Sequence, residues 1–205
     1  MKSNVVGAIF PLERISLFAS DFAGTEKRQM EELRHGLIED FGNGYVKFGH
    51  GELMGRIIGL LLCADEPMTA DEMSERLEVS KSPVNQIARR LEELSLIRRV
   101  WVKGDRKHYY QIADDVFLQA GTNLSYLFEE NLLIAEKHLR ALAKKYAAGR
   151  KEEKAALRNL GERLIMMREF HLREIESYRR FLEEWKIAKK DLPAVEEYIK
   201  KMSKE

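Results

Sequence analysis

The chain has 205 residues, of which 44% are hydrophobic and 34% are charged, and its formal net charge is +1. This length supports one or two domains with real cores, and the near-neutral balance excludes a chain that is basic or acidic throughout. The single cysteine, Cys63, excludes an internal disulfide framework. No apolar run reaches the roughly 20 residues that cross a bilayer, and the N-terminus lacks a signal-peptide pattern, so we expect a cytoplasmic protein without a membrane partner.

The N-terminal part is predicted to be helical beyond residue 24. Residues 1–24 hold many apolar side chains, and the sequence leaves their structure open, with Gly24 as a candidate end of that segment. A capped helix is predicted from Thr25 to Phe41, and glycines at 42, 44, 49 and 51 predict a loop. The apolar run from Leu53 to Ala64 then predicts a buried helix that ends before Pro67.

A short helix is predicted to begin at Thr69. The run from Thr69 to Glu72 has the pattern of a capping box, in which the threonine hydroxyl and the glutamate carboxylate each satisfy a backbone N–H. Met73 and Leu77 then share one apolar face, and the helix is predicted to stop near Glu78.

A second helix of this pair is predicted to follow Ser80, with Pro83 in its first turn. Its apolar stripe consists of Val84, Ile87, Ala88, Leu91 and Leu94. The candidate DNA-binding residues of this helix are Ser80, Lys81, Ser82, Asn85, Gln86, Arg89 and Arg90. Arginine pairs well with guanine, and asparagine or glutamine with adenine, because each can form two matched hydrogen bonds in the major groove. A merely solvated polar face is the alternative.

A basic β-hairpin is predicted next. Two β-rich segments, 98–103 and 106–112, flank Gly104-Asp105, and either a two-residue turn or a longer loop through Arg106 fits the sequence. Lys103, Arg106 and Lys107 gather at the tip, where they can follow a phosphate backbone or enter a minor groove. From residue 81 to 112 there are eight Lys or Arg against three acids, a local net charge of +5.

The C-terminal part is predicted to be a helical hairpin. Apolar or small residues recur at steps of three and four from 114 to 146 and from 157 to 185, with Gly149 between the runs, and a short closing helix is predicted from Leu192 to Met202. These stripes need a partner, either each other or a second subunit.

Other candidate sites are weaker. Cys63 is predicted to be a buried structural thiol, the alternative being a redox sensor. The five histidines share no metal-ligand spacing, and no motif of an enzyme or a phosphate loop is found. We therefore predict no catalytic residue, no metal and no cofactor. The C-terminal aromatic residues are predicted to be core, with a pocket for an apolar or cationic ligand as the alternative.

The chain resembles the MarR-type winged helix-turn-helix regulators, and within them the GbsR-like subgroup. The matching segments are 55–62, 68–73, 77–84, 89–94 and 104–110, with Ser95-Leu96 where many relatives have Gly-Leu. The resemblance implies a homodimer held by terminal helices, and it implies that Asp105 and Arg106 place the wing tip. Members of the subgroup often repress osmoprotectant genes, and some sense choline-like ligands, but no ligand residues can be matched here.

Together these observations predict a mainly α fold: a winged helix-turn-helix with a two-stranded β wing, flanked by long N- and C-terminal dimerisation helices. The predicted domains are an N-terminal helical segment (1–48), the DNA-binding domain (49–113) and a C-terminal dimerisation domain (114–205). Gly104 and Asp105 are predicted to shape the wing. The predicted function is a homodimeric repressor that binds double-stranded DNA and is released by an unidentified small-molecule effector. The alternative is a winged-helix module that binds an acidic protein.

Overall fold

The computed structural model describes residues 12–204, with side chains described from residue 25 onward. The predicted apolar residues of segment 1–11 lie outside this range. The elements in chain order are helices α1 (Leu12–Lys47) and α2 (Glu52–Leu62), strand β1 (Met68–Thr69), helices α3 (Ala70–Arg76) and α4 (Lys81–Glu93), strands β2 (Ile97–Val100) and β3 (Tyr109–Ile112), helices α5 (Val116–Ala148) and α6 (Lys151–Ala188), a 3₁₀ turn (Lys189–Asp191) and helix α7 (Val195–Met202). The predicted mainly α winged-helix fold is confirmed.

The described chain divides into two compact units. The first holds the described chain through Glu93 together with Ile97–Ile112, and the second holds Leu94–Leu96 with the chain from Ala113 onward. Helix α1 thus belongs to the same unit as the helix-turn-helix. The three-part division of the chain stays a prediction. In the described part of the chain, no helix combines the length and the apolar character that crossing a bilayer requires.

Helix α1 is continuous where the sequence predicted breaks. The chain is helical from Leu12 onward, so the predicted end of a segment at Gly24 is wrong. The predicted loop at Gly42 and Gly44 is also wrong, because the same helix continues to Lys47. The loop is confined to residues 48–51. A Cβ on Gly42 would lie 2.8 Å from Cγ of Arg56 on α2, so this glycine makes room for a neighbouring helix.

Two glycines of α2 explain how closely it packs on α1. A Cβ on Gly55 would lie 2.2 Å from the carbonyl oxygen of Phe41, and one on Gly59 would lie 2.9 Å from the Cα of Ile38. Backbone can approach backbone this closely only where no side chain intervenes. The glycines at this interface therefore serve helix packing and do not mark turns.

The core of the winged helix lies where α2, α3 and α4 meet the sheet. Its fully buried side chains are Ile57, Ile58, Leu61, Met73, Leu77, Val84, Leu91 and Ile97. Burying such side chains contributes about 1.5–3 kcal/mol each. Of the predicted stripe residues, five are buried and two, Ile87 and Leu94, are half-buried; the buried ones are Met73, Leu77, Val84, Ala88 and Leu91.

The sheet has three strands instead of the predicted two. β3 lies in the middle of the sheet and pairs antiparallel with both neighbours. Its pairing with β2 spans Ile97–Val100, and its pairing with β1 places Met68 opposite Tyr110. β1 is two residues long, too short for a periodic pattern, and its partner lies some 40 residues away in the sequence. The sequence therefore offered no local signal for this third strand.

The predicted capping box at the start of α3 is present. The Thr69 hydroxyl accepts the Glu72 backbone N–H at 3.2 Å, and the Glu72 carboxylate accepts the Thr69 backbone N–H at 2.6 Å. Thr69 is buried, so these bonds satisfy donors that water cannot reach. They fix the start of α3 directly beside β1.

Ser95, in the turn between α4 and β2, has a left-handed backbone with φ of +55°. An L side chain is strained there, whereas glycine is not. Ser95→Gly is expected to raise the free energy of unfolding by about 0.5–1 kcal/mol, the relief of strain exceeding the extra freedom of the unfolded chain. Urea unfolding at fixed protein concentration measures it. The control Ser125→Gly, within α5, should lower stability by about 0.5 kcal/mol, and equal losses in both variants would contradict the prediction.

The C-terminal unit contains the predicted helical hairpin. α5 ends at Ala148, α6 begins at Lys151 after Gly149 and Arg150, and the first residues of α5 lie near the end of α6. Asp115, the N-cap of α5, pairs with Lys189 at 2.5 Å, and a Cβ on Gly121 would lie 2.9 Å from Leu182. The two helices are thus antiparallel and closely packed at their open end.

Many large apolar side chains of this unit remain in solvent. They include Phe117, Leu124, Tyr126, Leu127, Leu133, Ile134, Leu160, Ile165, Met166, Phe170 and Phe181. The closing helix α7 also leaves its large apolar side chains mostly unburied. Those more than half exposed are Val195, Tyr198, Ile199 and Met202. The hairpin alone does not bury its stripes.

Candidate nucleic-acid interface

Helix α4 presents the predicted polar face to solvent. Val84, Ala88 and Leu91 are buried on its inner side. Ser82, Gln86 and Arg89 lie at spacings of four and three on its outer side. Ser80 directly precedes the first turn and is exposed.

A groove separates α4 from the wing, and we call it the α4–wing groove. Its volume is about 400 Å³, and its walls are formed by Lys81, Asn85 and Arg89 of α4, Thr69, Ala70 and Asp71 of β1 and α3, and Arg99, Lys107, His108 and Tyr110 of the sheet and wing. Four of the predicted site residues therefore come together here: Lys81, Asn85, Arg89 and Lys107. Such a set of cations and amide groups can bond phosphates and base edges.

The other predicted residues are exposed but do not line this groove. Ser80, Ser82, Gln86 and Arg90 lie on or before α4, and Lys103 and Arg106 lie on the wing loop. Arg90 forms an ion pair with Glu93 at 3.0 Å. Arg89 is the predicted residue that belongs to both the outer face of α4 and the groove wall.

Carboxylates hold two cations of the groove. Lys81 pairs with Asp71 at 2.5 Å, and Arg99 pairs with Glu92 at 2.8 Å. Asn85 donates its amide N–H to the Lys81 carbonyl at 3.1 Å, so this donor is engaged within α4. Exposed pairs of this kind contribute little stability, which leaves the cations able to exchange partners.

The wing tip is a loop of residues 101–108, longer than a two-residue turn. Its turn is closed by the Asp105 N–H, which donates to the Val102 carbonyl at 3.1 Å, and Gly104 occupies the left-handed region with φ of +88°. A positive φ at this third position of a turn is why glycine suits it. The strands stop at Val100 and resume at Tyr109, so the predicted strand segments were too long.

Asp105 braces this loop from inside. Its carboxylate accepts the Lys107 backbone N–H at 2.9 Å and the Tyr109 hydroxyl at 2.8 Å. These two hydrogen bonds hold the pKa of Asp105 below its ordinary value, and the bond from the Lys107 backbone N–H has the larger effect. The pKa of Asp105 is lower in the folded protein than in the unfolded chain. The hydrogen bonds therefore stabilise the fold fully above the ordinary carboxyl pKa, and this stabilisation is lost as pH falls through the folded pKa.

Sequence reasoning missed Arg99 and His108 as groove residues. Arg99 lies on β2 with its guanidinium 5.9 Å from the centre of the Tyr110 ring, the residue opposite it on β3. The alternation of strand side chains was the available signal: Arg99 lies two residues beyond the buried Ile97, so both share a face. That face meets α4 only in the folded structure.

Cys63 is half-buried at the end of α2, not fully buried as predicted. Burial raises the pKa of its thiol above the ordinary value, although the nearby Arg34 guanidinium lowers it. The reactive thiolate is therefore scarce at neutral pH. Among the side chains that the structure describes, from residue 25 to 204, no cluster of three His, Cys, Asp or Glu could hold a metal ion.

The C-terminal aromatic residues are core in part. Phe128 packs edge-on against Tyr178 with ring centroids 5.5 Å apart, and it stacks with His171 at 6.4 Å. Phe170 and Phe181 are more than half exposed. The predicted core role holds for Phe128 and Tyr178 and for Trp185, which is half-buried with its ring nitrogen out of solvent, and the ligand pocket stays a prediction.

The chain is similar in sequence to a family of DNA-binding domains and to named repressors. Residues 55–98 match a family model described as winged helix-turn-helix DNA-binding. The repressor OpcR of Bacillus subtilis (strain 168) is 30% identical over 88 residues, 43% of this chain and 48% of OpcR. The repressor GbsR of the same organism is 28% identical over 88 residues, 43% of this chain and 48% of GbsR.

Two further matches cover more of the chain. The regulator MmpR5 of Mycobacterium tuberculosis is 28% identical over 123 residues, 60% of this chain and 72% of MmpR5. A crystal structure of a transcriptional regulator superposes with a TM-score of 0.63 at 23% identity, covering 75% of this chain and 97% of that one. At this identity the likeness shows the fold alone.

The fold and the family match agree that this part of the chain is a winged helix-turn-helix, similar over residues 55–98 to a DNA-binding family. The predicted resemblance to GbsR-like regulators is confirmed over the matched residues. The match spans about half the length of OpcR and of GbsR. These relatives are named as transcriptional repressors or regulators.

Proposed function

We propose that this chain is a homodimeric, sequence-specific transcriptional repressor that acts in the cytoplasm on a near-palindromic operator. The observation that carries the proposal is the α4–wing groove, where Lys81, Asn85 and Arg89 of α4 face Arg99 and Lys107. In a winged helix, α4 enters the major groove of each half-site, and two-fold related half-sites lie about 34–36 Å apart.

The residues divide by role. Ser82, Asn85, Gln86 and Arg89 would read bases. Ser80, Lys81, Arg90, Lys103, Arg106 and Lys107 would hold phosphates, with Gly104 and Asp105 shaping the wing. Their support is the local net charge of +5 between residues 81 and 112 in a chain of net charge +1.

Homodimerisation is supported by apolar side chains that one chain leaves exposed. Met30 and Leu33 on α1, Leu133 and Phe170 in the hairpin, and Met202 on α7 are all more than half exposed. Exposed apolar surface of this extent is typical of an interface. Sedimentation equilibrium should therefore give twice the chain mass of 23.9 kDa; a monomer at micromolar concentration would contradict it.

A small-molecule effector of unidentified nature completes the proposal. Its support is the partly exposed aromatic set of the C-terminal unit, since ring faces attract apolar groups and cations. A ligand that raises thermal stability and changes operator affinity together would establish it.

Selection from random-sequence DNA, followed by titration of the enriched duplex at fixed salt, tests the main proposal. We expect a two-fold-symmetric motif bound at least ~10³ times tighter than bulk DNA. Weak, salt-sensitive binding without enrichment would contradict it and would favour a module that binds an acidic protein.

A further inference from the structure

Trp101 is exposed to a degree that is unusual for tryptophan. It lies at the start of the wing loop, directly after β2, and 78% of its surface is accessible, with 38% of the neighbouring Val102 also accessible. Tryptophan is the largest apolar side chain and is highly buried on average. An exposed tryptophan beside a candidate binding surface is therefore itself a candidate for contact.

The Trp101 ring is continuous with the α4–wing groove. It packs edge-on against His108, with ring centroids 6.3 Å apart and an interplanar angle of 68°. His108 lines the groove together with Lys107. The two rings thus extend the cationic wall of the groove with an apolar surface.

The net positive charge of the wing loop indicates what kind of molecule would bind beside Trp101. The loop that carries Trp101 also carries Lys103, Arg106 and Lys107, with Asp105 as its one acid, and that acid is engaged with Lys107 and Tyr109. A polyanion with apolar faces between its charges fits such a loop. Duplex DNA has this chemistry, with phosphates along each strand and sugars and base edges lining the minor groove.

We propose that Trp101, backed by His108, packs into the minor groove of duplex DNA beside the major-groove site of α4. This rests on the proposed function. Apolar side chains inserted into a minor groove contact sugars and base steps and can widen or kink the duplex. Trp101 would add affinity that does not depend on charge, and its contact would favour operators whose flanking steps deform easily.

Tryptophan fluorescence can report on this contact alone once the other tryptophan is removed. The chain has two tryptophans, and the second, Trp185, lies on α6, far along the sequence from the wing. In a Trp185→Phe variant, Trp101 is the one remaining tryptophan. Titration with the selected operator duplex should quench its emission and protect it from acrylamide. Unchanged emission and unchanged acrylamide access on a saturated operator would overturn the proposal.

Affinity measurements give the second test. Trp101→Ala is expected to weaken operator binding about tenfold, the lower end of what burying one large apolar side chain contributes, and Trp101→Phe should retain most of the affinity. The slope of log affinity against log salt should stay as in the parent protein, because no phosphate contact is lost. Lys107→Ala is the matched control on the same loop, with the slope reduced by about one.

The remaining outcomes separate this proposal from the proposed function. If the parent protein enriches an operator and Trp101→Ala binds it equally well, this contact is absent and the repressor stands. If Trp101→Ala changes the sedimenting mass, Trp101 lies between subunits and the DNA contact is overturned. If the parent protein enriches no sequence, both fall.

Discussion

Replacing Gly55 with alanine is expected to lower the free energy of unfolding by about 3 kcal/mol, at the upper end of the usual cost of overpacking. The added Cβ would lie 2.2 Å from the carbonyl oxygen of Phe41 and 2.7 Å from its carbonyl carbon. These are backbone atoms of α1, so no side-chain rotation relieves the clash. Helices α1 and α2 must separate, and the apolar side chains between them then lose contact.

Urea unfolding followed by circular dichroism at one fixed protein concentration measures this effect, since stability would depend on concentration in the proposed dimer. Gly44→Ala is the matched control, because a Cβ on Gly44 meets nothing within 4 Å. Alanine in a helix is favoured over glycine, so this variant should gain about 0.5–1 kcal/mol. A Gly55→Ala protein as stable as the parent would show that α1 and α2 are not packed this closely.

Replacing Arg89 with alanine is expected to relax sequence preference at one base pair per half-site, with a loss of about 1–3 kcal/mol in operator affinity. Arg89 is exposed, lies on the outer face of α4 and also lines the α4–wing groove. A guanidinium in that position can form two hydrogen bonds to guanine, and alanine leaves the base edge without them. The loss should therefore shrink when that one base pair is changed.

Titrations against the selected operator and its single-base variants test this role. Lys107→Ala should behave differently, weakening all sequences alike and reducing the salt slope by about one. Arg158→Ala, an exposed arginine of α6, is the control for net charge and should change neither property. If Arg89→Ala keeps the full preference at every position, another residue reads that base pair.

The features that the sequence predicted correctly are those encoded by near neighbours. The capping box from Thr69 to Glu72 needs four adjacent residues, and the stripe of α4 needs one helical period. Both therefore leave a signature that holds whatever the rest of the chain does. The positions of Lys81, Asn85 and Arg89 on one side of α4 follow from the same period.

The features that sequence reasoning missed depend on contacts between distant residues. Gly42 was interpreted as a loop residue because glycine disfavours helix, whereas its role is set by Arg56 on another helix. β1 exists because β3 pairs with it, and Arg99 joins the groove because the sheet lies beside α4. Tertiary packing overrides local propensity at each of these sites.

Two carboxylates that pair with cations of the α4–wing groove bear on how the proposed DNA-binding protein would search a genome. Asp71 holds Lys81 and Glu92 holds Arg99, so a phosphate of unrelated DNA must displace a carboxylate before it gains its full contact. That competition would make each chance encounter weak and brief, whereas an operator would add base contacts that offset it. The protein would travel by many short hops, and less of it would be sequestered on the millions of competing sites.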